Sequence, residues 1–231
     1  MMDWYNQKSE NTSIGGFKVN SRNWVRMYVK TLLLGGIVTI VTGLLVRWGE
    51  FQPIFTSLDV LEILSVFFWL FGVGLIFATI SQMGFFAYLT VHRFGLGLFR
   101  SLWNSVQFVI IAFVLFDLVY FRFNSFAKEG ESLWSYFWLA IFILIIGIIV
   151  GYMKSNQSNK SVFIPSVFFI VVFTTLEWIP VLLVNEESWI YLMLFPLIIS
   201  NGYQILALPK YIKQSEIERQ AKQANERPAT K

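Results

Sequence analysis

The sequence predicts an all-α, polytopic membrane protein: a bundle of six transmembrane helices with both termini in the cytoplasm. Of the 231 residues, 56% are hydrophobic and 18% are aromatic, which is more apolar surface than one soluble core can hide. Windows of roughly 20 mainly apolar residues, the length that crosses a hydrocarbon core of about 30 Å, recur along the chain. Lys and Arg are concentrated on one side of these windows, and this bias sets the orientation.

The predicted elements follow one another with short polar connections. A polar cytoplasmic segment, residues 1–26, comes first and contains no apolar run typical of a removable signal peptide. The second helix is longer than a perpendicular span requires, so we expect it to tilt or to project from the membrane. A charged cytoplasmic tail, residues 209–231, ends the chain. Between them, residues 27–208 form the transmembrane domain, whose helices are predicted at Met27–Val46, Leu58–Leu89, Leu98–Phe121, Leu133–Met153, Val162–Val184 and Trp189–Leu208.

The distribution of basic residues orients this bundle. Fifteen of the 18 Lys and Arg residues fall on the side that holds the N-terminus, while the other side has Arg47, Arg122 and Lys128. Positively charged residues near helix ends favour the cytoplasm. Both termini are therefore predicted to be cytoplasmic, and the protein is predicted to lie in the bacterial cytoplasmic membrane.

Several classes of catalytic site are excluded by composition. The chain has no cysteine and a single histidine, His92, so thiolate and histidine-built metal sites are not expected. Glu186 and Glu187 begin like a glutamate-pair membrane-protease motif, but the next four residues, 188–191, lack the arginine of that motif. No serine–histidine pairing and no phosphate-binding glycine loop stands out. We expect no catalytic residue, no cofactor, no metal and no nucleic-acid partner.

The stretch around the only histidine is the first candidate for a contact site. His92, Arg93 and Gly95 are predicted to form a short cytoplasmic turn, and Arg100 and Asn104 lie at the start of the next helix. Glycine permits unusual backbone angles, and two arginines could dock on anionic lipid head groups or on an acidic partner. The alternative is that both arginines only enforce topology.

Small and polar residues in the second and fourth helices predict close helix packing. Gly74, Ala78, Ser81 and Gln82 fall on one face at helical spacing, and Gly147 and Gly151 form a GxxxG pattern. Small residues let two helix backbones approach each other within a membrane. For the face that contains Gly74 we favour helix packing over a ligand groove. The GxxxG pattern of Gly147 and Gly151 leaves open whether the helix contact is internal or between protomers.

Three further polar residues lie within predicted helices. Gln107 is in the cytoplasmic third of the third helix, Asp117 is near its outer end, and Glu177 is toward the outer end of the fifth. A charge at the bilayer centre is costly, so these carboxylates are expected near the interface, where they could pair with Arg47 or Arg122 or line an ion path. A transporter would more readily show an inverted repeat, and none is apparent between residues 27–121 and 133–208.

Several stretches of the sequence resemble one known family. The similarity is strongest from Phe71 to Gln107 and is carried by residues 21–26, 31–36, 71–77, 80–90, 92–95 and 100–107. These resemble the KinB-signalling pathway activation family of spore-forming bacilli, KbaA. The resemblance implies a non-enzymatic, multi-pass regulator that the sensor kinase KinB needs in order to feed the sporulation phosphorelay.

The partners implied by this resemblance are KinB or its membrane complex, together with membrane lipids. The family has no active-site motif that could be transferred, so no residue inherits a catalytic role. A small-molecule or ion transporter is the second hypothesis, and a lipid-acting membrane enzyme is the third.

Overall fold

The computed structural model describes residues 19–226, and within this range the regular elements are all helical. The all-α fold class predicted from the sequence is therefore confirmed. The helices are α1 Ser21–Val46, α2 Trp48–Ser57, α3 Val60–Phe99, α4 Trp103–Phe126, α5 Trp134–Gln157, α6 Phe163–Phe168, α7 Thr174–Val184 and α8 Glu187–Glu226. Short 3₁₀ turns lie at Arg100–Leu102 and Lys160–Val162, and a π-helical turn, Phe169–Phe173, joins α6 to α7.

Five helical stretches among residues 19–226 have the length and the apolar composition needed to cross a membrane. The longest stretch, Val60–Phe126, contains both α3 and α4, which are separated by the 3₁₀ turn. The described residues therefore hold five candidate spans, or six when α3 and α4 are counted separately, compared with six apolar windows in the sequence.

The turn predicted at His92–Gly95 is wrong. Helix α3 continues through Gly95 and Gly97 and ends at Phe99, and the chain turns at Arg100, which has a φ of 49°. Gly95 lies inside the helix, and a Cβ at this position would collide with the indole of Trp103. The glycine provides room for a close contact, so it does not mark a break in the helix.

The connection expected between the first two transmembrane helices is itself a helix. Residues Trp48–Ser57 form α2 although Pro53 lies inside it, where the missing N–H leaves the carbonyl of Gly49 without its usual helical donor. The Asp59 side chain then accepts hydrogen bonds from the backbone N–H groups of Leu61 and Glu62, which is how α3 begins. The predicted second helix was placed correctly but ends ten residues later than expected.

Helices α1 and α3 pack with their backbones almost in contact. A Cβ added at Gly74 would lie 2.7 Å from the carbonyl oxygen of Gly35, and Gly35 also faces Ala78. Further along, Gly43 faces Leu70, so residue numbers rise in α1 as they fall in α3. The two helices are therefore antiparallel, and Gly74 and Ala78 lie at their interface.

The second small-residue pattern, Gly147 and Gly151, packs inside the chain. An added Cβ at these positions would lie 2.9 Å from Val171 and 2.8 Å from Val167, respectively. Helix α5 thus approaches α6 and the π turn closely. Residues 165–175 are all buried, so this segment forms the centre of the unit formed by residues 28–206.

Helix α8 has 40 residues and is about 60 Å long at 1.5 Å per residue, twice the thickness of a hydrocarbon core. Pro209 has no N–H, so the carbonyl of Ile205 lacks its usual donor four residues along the helix. The buried ammonium of Lys154 on α5 donates to this carbonyl at 2.6 Å. Lys154 is thereby a helix-stabilising group, a role that its position next to a polar loop did not indicate.

The second compact unit contains the start of α1 and the end of α8. Within the described part of this unit, the Asn23 side chain donates to Ser215 Oγ at 2.8 Å. Arg22 and Arg26 lie 3.6 and 3.5 Å from the carboxylate of Glu218. These contacts join the start of α1 to the end of α8, and the carboxylate of Glu218 is shared by the two arginines.

Candidate functional site

A buried network of polar side chains connects three apolar helices. We call it the core polar network, and it consists of Ser81 on α3, Thr174 and Glu177 on α7, and Asn201 and Gln204 on α8. Asn201 is its centre: the amide nitrogen donates to Glu177 Oε2 at 2.7 Å and to Thr174 Oγ1 at 3.0 Å. Its amide oxygen accepts from Ser81 Oγ at 2.7 Å, and Ser81 in turn accepts from Gln204 Nε2 at 2.6 Å.

Several polar atoms in and beside this network have no hydrogen-bond partner among the described residues. They are Glu177 Oε1, Gln204 Oε1, Ser200 Oγ and both polar atoms of the Gln82 amide. Gln82 is only 2% exposed and Glu177 only 9%. Buried polar groups are usually paired, so a concentration of unpaired ones indicates a site with a further chemical role.

Gly84 makes room for the Glu177 carboxylate. A Cβ at position 84 would collide with Glu177 Oε1, so this oxygen lies directly over the backbone of α3. Thr174 and Glu177 are three residues apart and therefore share one face of α7. Pairing with Arg47 or Arg122, one of the two alternatives for Glu177, is not formed: Arg47 bonds to Glu50 at 2.8 Å, and Arg122 donates to Asn185 at 3.1 Å.

A second buried cluster lies further along α3 and involves the single histidine. We call it the His92 cluster: Trp103 Nε1 donates to His92 Nδ1 at 3.0 Å, and the amide nitrogen of Gln107 lies 3.5 Å from the same atom. The ring of Tyr88 is 5.6 Å from the imidazole, centroid to centroid. His92 is buried, so the predicted role of His92 and Gly95 as exposed contact residues is wrong.

The remaining predicted contact residues are accessible. Arg93, Arg100 and Asn104 are exposed, and Arg93 borders a groove of about 550 Å³ at the end of α3 that is lined mainly by apolar side chains. Asp117 is exposed on α4. The structure thus separates the candidate residues into an exposed set and a buried set, although they alternate along the sequence.

A polar cleft lies beside the connection between α4 and α5. Its volume is about 460 Å³, and the guanidinium of Arg122 lies 5.6 Å from the centroid of the Tyr136 ring. The Tyr136 hydroxyl donates to Glu131 Oε2 at 2.7 Å, and this hydrogen bond holds the pKa of the exposed Glu131 carboxyl below its usual value. Within residues 19–226 no group of three His, Cys, Asp or Glu side chains is arranged to hold a metal ion.

Comparison with known proteins gives two agreeing results. The model of the KbaA family, described as KinB-signalling pathway activation in sporulation, matches residues 35–211. A Bacillus subtilis (strain 168) protein named "KinB-signaling pathway activation protein" is 50% identical over 195 residues, which are 84% of this chain and 98% of that protein. The chain belongs to the KbaA family. No solved structure matches it.

Both buried clusters lie within the part of the chain that matches the KbaA family model. The sequence resemblance to this family is therefore confirmed, and the match includes residues of α7 and α8 beyond the Phe71–Gln107 stretch where the resemblance is strongest. Ser81, Gln82, Gln107 and Glu177 were singled out from the sequence. Thr174, Ser200, Asn201 and Gln204 were missed, although Ser200, Asn201 and Gln204 are polar residues at helical spacing inside an apolar window.

Proposed function

We propose that this KbaA family member is a multi-pass protein of the bacterial cytoplasmic membrane that supports activation of the sensor kinase KinB, upstream of the sporulation phosphorelay. The observation that carries the proposal is the 50% identity to a protein named for KinB-pathway activation, over 98% of that protein's length. Identity of this extent spans the helices that hold both buried clusters.

The proposed role is non-enzymatic. His92, the one histidine of the chain, accepts a hydrogen bond from the Trp103 indole at Nδ1, and the amide nitrogen of Gln107 lies 3.5 Å from the same atom. These two contacts link His92 to α4, whereas the base of a serine nucleophile needs a direct serine contact. The arrangement favours a structural role for His92.

The proposed topology is a six-helix bundle with both termini in the cytoplasm. The antiparallel packing of α1 and α3, seen where Gly35 faces Ala78 and Gly43 faces Leu70, supports it. It brings Arg93 and Arg100 to the same end as Lys30 on α1, as the bias toward cytoplasmic Lys and Arg requires. The corrected position of the turn leaves this orientation unchanged.

The exposed end of α3 is the surface that we assign to the contact with KinB. Arg93 and Arg100 are exposed here, and Phe94 and Leu98 beside them are 74% and 76% exposed. Arginines at the edge of an apolar surface suit a partner that offers both apolar side chains and carboxylates, such as the membrane-proximal part of a kinase. Charge complementarity of this kind sets association more than it sets the fold of either protein.

Charge reversal at the end of α3 tests the proposed function. In a Bacillus subtilis strain that lacks its own KinB-pathway activation protein and depends on KinB for sporulation, this chain should restore spore formation. Arg93→Glu and Arg100→Glu together should reduce spore counts about tenfold, as expected if association weakens by roughly 1.4 kcal/mol. Immunoblots of membrane fractions should show unchanged protein levels.

Two controls separate the contact from topology. Lys160→Glu reverses an exposed charge in the α5–α6 connection and should leave sporulation unchanged, while Arg93→Gln and Arg100→Gln lose charge without reversing it. Reporter fusions should place Gly49, Gly130 and Glu187 outside and Asn156 and the C-terminus inside. Full sporulation with correctly oriented, charge-reversed protein would remove the end of α3 from the proposal.

The core polar network supports an ion or small-molecule transporter as the second candidate. Polar groups from three helices that meet in an apolar interior are typical of a transport path. Substrate-dependent flux into proteoliposomes that is abolished by Glu177→Gln would favour this role over a regulator. Absence of such flux, together with restored sporulation, would favour the regulator.

A further inference from the structure

The hydrogen bonds of the core polar network all run in one direction. Gln204 donates to Ser81, Ser81 donates to Asn201, and Asn201 donates to Glu177. Each donor in such a chain polarises the next, which strengthens the series. The two ends are acceptors, Gln204 Oε1 and Glu177 Oε1, and both lack a partner among the described residues.

The unpaired atoms in this region are mostly oxygens. Besides the two ends of the chain, Ser200 Oγ and Gln82 Oε1 are buried without a partner in the described part of the structure. Ser81, Gln82 and Gly84, the residue beneath Glu177 Oε1, lie within one turn of α3. A hydrogen-bond donor would satisfy one such oxygen, whereas a cation satisfies several at once.

The formal charge of the site specifies the class of cation. Glu177 is the one acidic residue of the core polar network, and no ion pair with it is formed by the described residues. A single carboxylate with neutral amide and hydroxyl oxygens balances one positive charge. Divalent ions require more anionic ligands or water, whereas alkali ions in membrane proteins are held largely by neutral oxygens that replace their hydration shell.

The local backbone of the site is also unusual. The π-helical turn Phe169–Phe173 ends directly before Thr174, the first network residue on α7. Such turns interrupt the ordinary helical bonding pattern and are frequent at functional sites. Here the turn sets the register in which Thr174 and Glu177 both face Asn201.

We propose that the core polar network binds a monovalent alkali cation, Na⁺ or K⁺, with the Glu177 carboxylate as its anionic ligand and unpaired neutral oxygens of the same region, such as Gln204 Oε1, as further ligands. This inference goes beyond the proposed function, because it concerns ligand binding by the chain alone and requires no kinase. A cation here would join α3, α7 and α8 and make their packing dependent on the ion.

Thermal unfolding of the purified full-length protein in detergent tests the proposal. Tryptophan fluorescence would be followed at constant pH and ionic strength in NaCl, KCl or N-methylglucamine chloride, with increasing replacement of the organic cation. One of the two alkali salts should raise Tm saturably, by roughly 5 °C at a hundredfold excess over Kd. Equal Tm values in all three salts would overturn the proposal and would indicate that a proton or water satisfies Glu177.

Matched variants locate the effect. Glu177→Gln keeps an acceptor for Asn201 but removes the charge, so the cation-specific rise in Tm should disappear. Asp117→Asn also replaces a carboxylate by an amide, but at an exposed position, and this variant should retain the rise in Tm. If Glu177→Gln does not fold, Gly84→Ala serves instead, because it displaces Glu177 Oε1 without changing any charge and should weaken cation affinity at least tenfold. An unchanged cation affinity in whichever of these two variants folds would contradict the proposed cation site.

Discussion

The core polar network and the His92 cluster both include residues of α3, but they differ in how completely their buried polar groups are hydrogen-bonded. In the His92 cluster an aromatic donor, the Trp103 N–H, meets the imidazole directly, and one oxygen, that of Gln107, remains unpaired. In the core polar network Gln204, Ser81 and Asn201 each donate within the network, while Gln204 Oε1 and Glu177 Oε1 remain unpaired among the described residues. The first arrangement leaves one oxygen unpaired, whereas the second leaves acceptors that the proposed cation would satisfy.

Each cluster has its own glycine on α3 that makes room for it, but the side chains that lie over these two glycines differ in stiffness. Gly84 lies under the Glu177 carboxylate, the far end of a flexible side chain, and Gly95 lies under the rigid indole of Trp103. A carboxylate can rotate away from an added methyl group, but an indole that is packed on both faces cannot. The His92 cluster should therefore resist alteration more than the network does when its glycine is replaced.

Loss of Asn201 should have the largest effect on stability. Asn201→Leu leaves Ser81, Thr174 and Glu177 without their shared partner, which we expect to lower the free energy of unfolding by about 2–3 kcal/mol. Unfolding by increasing SDS in mixed micelles measures this. Asn104→Leu on the exposed face of α4 is the matched control and should change stability little. Equal stability of the two variants would show that the network contributes nothing to the fold.

Replacement of the glycine beneath Trp103 should come next. Gly95→Ala forces the indole or the helix to move, and overpacking of this kind costs about 1–3 kcal/mol. Gly97→Ala, two residues along the same helix, meets no neighbouring atom within 4 Å and should be neutral or slightly stabilising. The same unfolding assay compares them, and a Gly95→Ala protein as stable as Gly97→Ala would refute the close approach of α3 and Trp103.

The smallest effect is expected from removal of one donor in the His92 cluster. Trp103→Phe keeps an aromatic ring but deletes the N–H that bonds to His92, so stability should fall by about 1 kcal/mol. His92→Phe in the same background then measures the coupling in a double-mutant cycle. A coupling energy near zero would mean that packing of the rings, rather than the hydrogen bond, holds the cluster together.

The helical class and the apolar spans were predictable because both depend on local composition. Apolar windows of the required length define candidate spans however they pack, and the small residues Gly74 and Gly151 indicate close contacts wherever their partners lie. The position of the α3–α4 turn was not predictable, because a glycine that permits a turn and a glycine that admits an indole look the same in sequence. Only the contact between Gly95 and Trp103 distinguishes them.

The sequence by itself determined the all-α class, the apolar spans and, through the resemblance confirmed by comparison, the KbaA family. The tertiary structure decided which polar residues meet. Asn201 is about 120 positions from Ser81 and about 24 from Glu177, so no periodicity along one helix could relate the three. Hydrogen bonds between helices depend on which faces pack together, and that choice is made by the fit of side chains across the whole bundle.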